Sequence, residues 1–171
     1  MPKPSAADAA SRWQWHQLKW LWLTALTVAL DQWSKQAVEG ALALYERIAV
    51  LPFFNITLAY NEGAAFSFLA GAGGWQRWFF TAVACVASAL IIGWLLTKKE
   101  SKWVQAGLAL VLGGALGNLW DRLALGHVVD FLDFYWASSH FPAFNIADTA
   151  ITLGVACMLL DMFLTKEPSH D

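Results

Sequence analysis

Charge is scarce in this chain of 171 residues: Asp, Glu, Lys and Arg together make up 14% of it, against 58% hydrophobic residues. A soluble domain of that size cannot hide so much apolar surface, so lipid is the expected solvent for most of it. The formal net charge of −2 leaves no basic stripe to neutralise phosphates, which argues against a nucleic-acid partner. Cysteine is nearly absent too. Cys85 and Cys157 fall in separate apolar runs and read as small hydrophobes rather than a bridge or a reactive pair. His16, His127, His140 and His170 are scattered without a second ligand at helical spacing, so neither a metal nor another cofactor is expected. Ser138 and Ser139 lie in a loop with no helix-bound partner, which leaves a Ser, His and Asp constellation unsupported.

Aromatic and aliphatic residues are abundant instead. A hydrocarbon core of about 30 Å needs about 20 apolar helical residues. Four segments reach that length, at about 18–38, 75–97, 103–123 and 142–164. Trp20, Trp75, Trp78, Trp94 and Trp103 mark several of their ends, as interfacial anchors do. Lys3, Arg12 and Lys19 precede the first segment, Lys98, Lys99 and Lys102 lie between the second and third, and Lys166 follows the fourth. Both termini are therefore expected in the cytoplasm. The run "WLWLTALTVAL" resembles a secretory signal, but the nearest small-residue site lies beyond Asp31, Lys35 and Glu39, so an uncleaved span is expected. Residues 1–17 read as a flexible cytoplasmic tail, 18–164 as one four-span membrane domain and 165–171 as a second cytoplasmic tail.

Two outer connections remain. In 39–74 the stretch "VLPFFNITLAYNEGAAFSF" is rich in β-branched and aromatic residues, which suggests a short extended hairpin with Pro52 at an edge. The triplet Asn55, Ile56 and Thr57 matches a glycosylation sequon, a pattern common by chance. The connection 124–141 opens on a helix stop at Gly126 and is expected to be a mobile outer loop.

Within this layout the polar residues converge. Asp31, Asn118 and Asp148 each lie some five to seven residues inside the outer end of a span, roughly 7 to 11 Å deep at 1.5 Å per residue. An ionisable group in a span costs about 2.5–3.5 kcal/mol, so it normally faces the bundle interior and marks function. Asp161, a turn from Lys166 at the other end, can snorkel and is assigned no role. Asn118, Asp121 and Arg122 follow the i, i+3, i+4 spacing, and Arg122 can fork onto a carboxylate. Gly113 and Gly117 form a Gly-x-x-x-Gly pattern that admits a neighbouring helix. Pro142 suits the first turn of the fourth span, with Asn145 three residues before Asp148. Asp130 arrives from the loop at a similar level. Two carboxylates held together cannot both ionise comfortably, and such a pair can activate a water and protonate a leaving amine. The residues alone leave two readings open: aspartyl hydrolysis, and a small proton-coupled transporter. A transporter is expected to show repeats or helices broken at the midplane, which these segments lack.

The blocks "LDQWSK", "AYNEGAAFSF", "GGALGNLWDRLALGHVVDF" and "FNIADTAI" resemble, in order, the motifs of bacterial lipoprotein signal peptidase, the signal peptidase II family, over about residues 20–164. The resemblance implies an aspartic endopeptidase of the bacterial inner membrane, active near the periplasmic face. It implies a prolipoprotein substrate cut before a cysteine that carries diacylglyceryl, with membrane lipid around it and a monomer as the expected state. Asp130 and Asp148 match the family's catalytic dyad. Asp31, Lys35, Asn61, Gly63, Asn118, Arg122 and Asn145 match its supporting positions: Asn118 and Asn145 are expected to orient the dyad, and Asn61 with Arg122 to hold the substrate backbone. Glu62 departs from the neutral or small residue common there. The segment around 50–60 is expected to cradle the lipidated part, and Phe131, Phe134, Tyr135 and Trp136 either to close over it or to anchor at the interface.

Overall fold

The computed structural model describes residues 14–63 and 74–164. Most of the expected tails, and the part of the 39–74 connection between 64 and 73, lie outside the described residues.

The chain runs from a 3-10 turn, Trp15–Trp20, into α1 (Leu21–Ala41), β1 (Arg47–Leu51), β2 (Phe54–Asn61), α2 (Trp75–Thr97), α3 (Lys102–Ala124), β3 (Val128–Trp136), β4 (Ser139–His140) and α4 (Ile146–Leu164). Among the described residues α2, α3 and α4 are long and apolar enough to cross a membrane. Their surfaces fit lipid rather than water. Val86, Leu90, Trp94, Leu153, Leu159 and Leu160 are all exposed, and a packed bundle leaves such side chains out only where the solvent is itself apolar. α1 has the reverse of a soluble helix's pattern. Its buried residues are Thr24, Thr27, Asp31 and Lys35, while Trp22, Leu26, Leu30 and Trp33 face outwards.

α3 is the central helix, packed against α1, α2 and α4. Glycine permits this. A Cβ on Gly113 would stand 2.6 Å from Thr27 Cβ, and one on Gly117 would stand 2.5 Å from Asp31 Oδ2, so the pattern read from the sequence is the groove in which α1 lies. Ile91, Leu95, Leu108 and Leu112 form an apolar core between α2 and α3. At that end Gln17, fully buried, donates to the carbonyls of Leu95 and Lys98 and accepts from Glu100 N. Residues 14–17, expected in a free tail, are thus tied to the α2–α3 connection. Sequence reading missed this because a single glutamine carries no periodic signal.

The opposite end is capped by an antiparallel sheet in the order β1-β2-β3-β4. The hairpin expected in the first outer connection is present, with Pro52 in the turn between β1 and β2. The second connection is not a loop. Val128–Trp136 is a strand paired along β2, from Phe54↔Phe134 to Asn61↔Val128. The run "VVDFLDFYW" has the β-branched and aromatic content of a strand, and its burial against β2 and the helix ends realises it. Leu42, Leu58 and Val129 form a small core beneath it. Phe131 is buried, Phe134 stacks on Phe53 and Phe144, and Tyr135 stacks on His140. The fourth helix begins later than expected. Pro142 lies outside it, because Phe144 bridges to Leu132 and α4 starts only at Ile146. Gly126 has φ +89° and its N–H donates to Asp121 O at 3.2 Å, which ends α3 as a left-handed C-terminal residue does.

Candidate active site

Asp130 is the third residue of β3, opposite Ala59 of β2. Side chains two apart on a strand share a face, so Asn61, two beyond Ala59, reaches it diagonally: Asn61 Nδ2 donates to Asp130 Oδ2 at 3.0 Å. Asp148 sits in the first turn of α4, nearer the helix end than the span limits predict, and Asp31 is deeper in its own helix because α1 runs on to Ala41. The residues still meet, since Ala147 N donates to Asp31 Oδ1 at 2.9 Å.

Asn145 joins the two carboxylates. It precedes α4 and caps it: its Oδ1 accepts from Asp148 N at 2.9 Å, satisfying a main-chain donor that the first helical turn leaves without an intrahelical partner. Its Nδ2 then points away from the helix and donates to Asp130 Oδ1 at 2.8 Å and to Asn118 Oδ1 at 3.2 Å. Asn118 turns its own Nδ2 to Asp148 Oδ1 at 2.8 Å, while Lys35 Nζ donates to Asn118 Oδ1 at 3.0 Å. Those donors to its oxygen fix which end of the Asn118 amide faces Asp148.

Electrostatics separate Asp130 from an ordinary carboxyl. Burial, and next the facing Asp148, push it up to about 7. Hydrogen bonds from Asn61 and Asn145 and the Lys35 ammonium pull the other way without cancelling the rise.

A cavity of about 510 Å³ opens beside the cluster, and its polar lining comes from Asn61, Asn118, Arg122, Asp148, Thr149 and Thr152. Phe141, Pro142, Phe144, Ile151 and Leu153 supply apolar wall. Asp130, 3% exposed, does not line it.

The family model described as signal peptidase (SPase) II matches residues 23–164. The chain belongs to the signal peptidase II family. A lipoprotein signal peptidase of Alteromonas mediterranea is 56% identical over 147 residues, covering 85% of this chain and 81% of the relative. One from Pseudomonas putida is 50% identical, with 100% of each chain covered. A bacterial membrane enzyme solved by the in meso method at 2.3 Å is 30% identical, with a TM-score of 0.76 and 90% of this chain and 94% of that chain covered.

In this signal peptidase II chain the nine residues singled out from the sequence are gathered around one end of the bundle, with two differences in geometry. Among the described residues Arg122 forks onto no carboxylate: its Nη1 donates to Asn118 O and its Nη2 to Gly63 O, each at 3.3 Å, with the guanidinium over the Phe80 ring. Asn61, expected on the substrate, holds Asp130 and accepts from Gly63 N at 3.0 Å. Sequence reasoning assigned no role to Asp121 or Gln32. Both are joined to the cluster across more than eighty residues of chain, a contact that leaves no local pattern. Asp121 carried the one available signal, a carboxylate inside an apolar segment.

Proposed function

We propose that the chain is an intramembrane aspartic endopeptidase that removes the signal peptide from diacylglyceryl-modified prolipoproteins by cutting before the lipidated cysteine. Asp130 and Asp148 are its catalytic pair. The observation that carries the assignment is Asn145: one amide fixes the first turn of the helix bearing Asp148 and holds the carboxylate of Asp130.

Near neutral pH the pair keeps one proton. The ionised carboxylate takes a proton from water as its oxygen attacks the scissile carbonyl carbon, and the protonated partner gives its proton to the carbonyl oxygen. Collapse of the resulting diol breaks the C–N bond, and the leaving nitrogen takes up a proton from the pair. Asn118 and Asn145 orient the carboxylates throughout. Arg122, whose present partners are carbonyls, can offer the same donors to a substrate backbone. The apolar lining suits acyl chains, and the polar side chains beside it suit the peptide.

α1, which is 21 residues long, spans the bilayer as the fourth helix, because its polar face is turned inward and its Trp and Leu face out. Lys19 and the 98–102 cluster lie at the end remote from the sheet. By the positive-inside rule this supports a site near the periplasmic face of the bacterial inner membrane, with both termini in the cytoplasm. Asp130 and Asp148, with the three amides of Asn61, Asn118 and Asn145 and the Lys35 ammonium around them, come from one chain, so a monomer suffices. A proton-coupled transporter is not favoured by membership of a peptidase family.

The protein in lipid, given a diacylglyceryl prolipoprotein and its unlipidated twin, is expected to release signal peptide from the first alone. No release from the lipidated form, or equal release from both, contradicts the assignment.

A further inference from the structure

The residue before each proposed catalytic aspartate has its main-chain N–H held by another, buried aspartate. Val129 N donates to Asp121 Oδ2 at 3.2 Å, and Ala147 N donates to Asp31 Oδ1 at 2.9 Å. One cation joins the two holders. Lys35 Nζ lies 2.8 Å from Asp121 Oδ2 and 2.7 Å from Asp31 Oδ2, and it also donates to Asn118 Oδ1 at 3.0 Å. An ammonium has three hydrogens and no acceptor, so these three partners saturate it. Gln32 Nε2 completes the Asp121 side by donating to Oδ1 at 2.7 Å. Asp31, Lys35 and Asp121 are 0%, 2% and 1% exposed.

A buried ion cluster of this kind is weak evidence for stability, because desolvation offsets much of the attraction, and its best-attested use is to fix register. Here the register in question is that of two separate elements. β3 carries Asp130 and α4 carries Asp148; Phe144 and Asn145 tie them directly on one side, and the ion cluster ties them through α1 and α3 on the other. We propose that Asp31, Lys35 and Asp121 form a yoke that sets the position of β3 against α4, with Asp121 a positioning residue acting on Asp130 through the Val129 amide. The inference rests on reading Asp130 and Asp148 as the catalytic pair. Gly117 is part of the device, since a side chain there would collide with Asp31 Oδ2.

The test uses the full chain in lipid, with Asp121→Asn, Asp31→Asn, their double variant and the milder Gln32→Ala. Each is assayed for thermal midpoint, kcat and KM on a diacylglyceryl prolipoprotein. Affinity is also measured for a substrate peptide whose scissile amide is replaced by a hydroxymethylene group, a tetrahedral mimic. Asp121→Asn is expected to lower kcat at least about tenfold with KM within about twofold, and to weaken the mimic by the same factor. Gln32→Ala is expected to do so about threefold. The double variant should lose less than the product of the single losses, since both arms act through Lys35. Wild-type kcat in folded Asp121→Asn overturns the proposal, as does a loss that merely tracks the folded fraction. If Asp121→Asn does not fold, wild-type kcat in Gln32→Ala overturns it, and a threefold fall in kcat at unchanged KM supports it. Loss of turnover in the Asp130 and Asp148 variants beside normal turnover in Asp121→Asn would sink the yoke alone. Normal turnover in the former would sink the catalytic pair itself.

Discussion

Asn145 combines a structural and a chemical task in one side chain, and substitution can separate them. Asn145→Ala removes the cap, at a cost of about 1 kcal/mol, and also removes the donor to Asp130. Asn145→Ser keeps an oxygen for Asp148 N and cannot supply the two amide hydrogens. Serine is therefore expected to restore most of the thermal midpoint lost by alanine while turnover stays at least about tenfold low, comparable to the loss of one hydrogen bond to a charged group. Recovery of both together would show that capping is all Asn145 does. The raised Asp130 makes a second prediction. Its ordinary value is near 3.8 and its value here is about 7, so the ionised form is disfavoured in the folded protein. Stability due to this group is then full below about pH 4 and declines as pH rises through 7. Activity that needs the shared proton should fall along the same limb. Asn61→Ala removes a donor that holds Asp130 down, so the alkaline midpoint of the rate profile should move upward, and a downward move would contradict the electrostatic account. At this scale the sequence was informative at Asp31, Asn118 and Asp148, polar residues that interrupt apolar runs, though the same signal at Asp121 went unused. It was silent on Gln17 and Gln32, whose importance lies in partners distant along the chain.

Among the elements, α2 runs Trp75–Thr97 and α3 Lys102–Ala124, beside expected apolar segments of about 75–97 and 103–123. Length and hydropathy suffice for helices whose neighbours are mostly lipid. β3 and the start of α4 were misread because there the outcome is tertiary: β3 exists by pairing with β2, and the backbone of Phe144 is drawn into that sheet, leaving Asn145 to open the helix. The α3–α4 contact offers a test at this level. A Cβ on Gly114 would strike the carbonyl of Ala147, a backbone atom that cannot swing aside, whereas one on Gly93 meets nothing within 4 Å. Gly114→Ala is expected to destabilise by about 1–3 kcal/mol and to lower turnover, because Ala147 adjoins Asp148. Gly93→Ala should be neutral or stabilise by up to about 1 kcal/mol. Equal thermal midpoints for the two variants in lipid would refute the close approach.

Where α1 meets α3 the bundle is polar inside and apolar outside. Its central helix and the inner face of α1 carry the polar groups, and its outer surface carries Trp, Leu and Phe. Lipid therefore stands where water would surround a soluble enzyme, and the cavity opens beside the carboxylates at the sheet-capped end of the bundle. A charge on the outer face should be costly. Leu90 on α2 is 67% exposed, and Leu90→Asp is expected to reduce membrane insertion of that helix by about 2.5–3.5 kcal/mol, measured as the inserted fraction. Unchanged insertion would argue that this face does not meet hydrocarbon. Composition made the membrane setting legible, and motif order made the family legible. The pairing of the outer connections into one sheet was not, because strand partners far apart in sequence leave no shared period. The most direct test of the central claim is turnover of a diacylglyceryl prolipoprotein by Asp130→Asn and Asp148→Asn, each confirmed as folded in lipid. Both should release signal peptide at least about a thousandfold more slowly than the parent, and near-normal release by either would contradict the two-carboxylate mechanism.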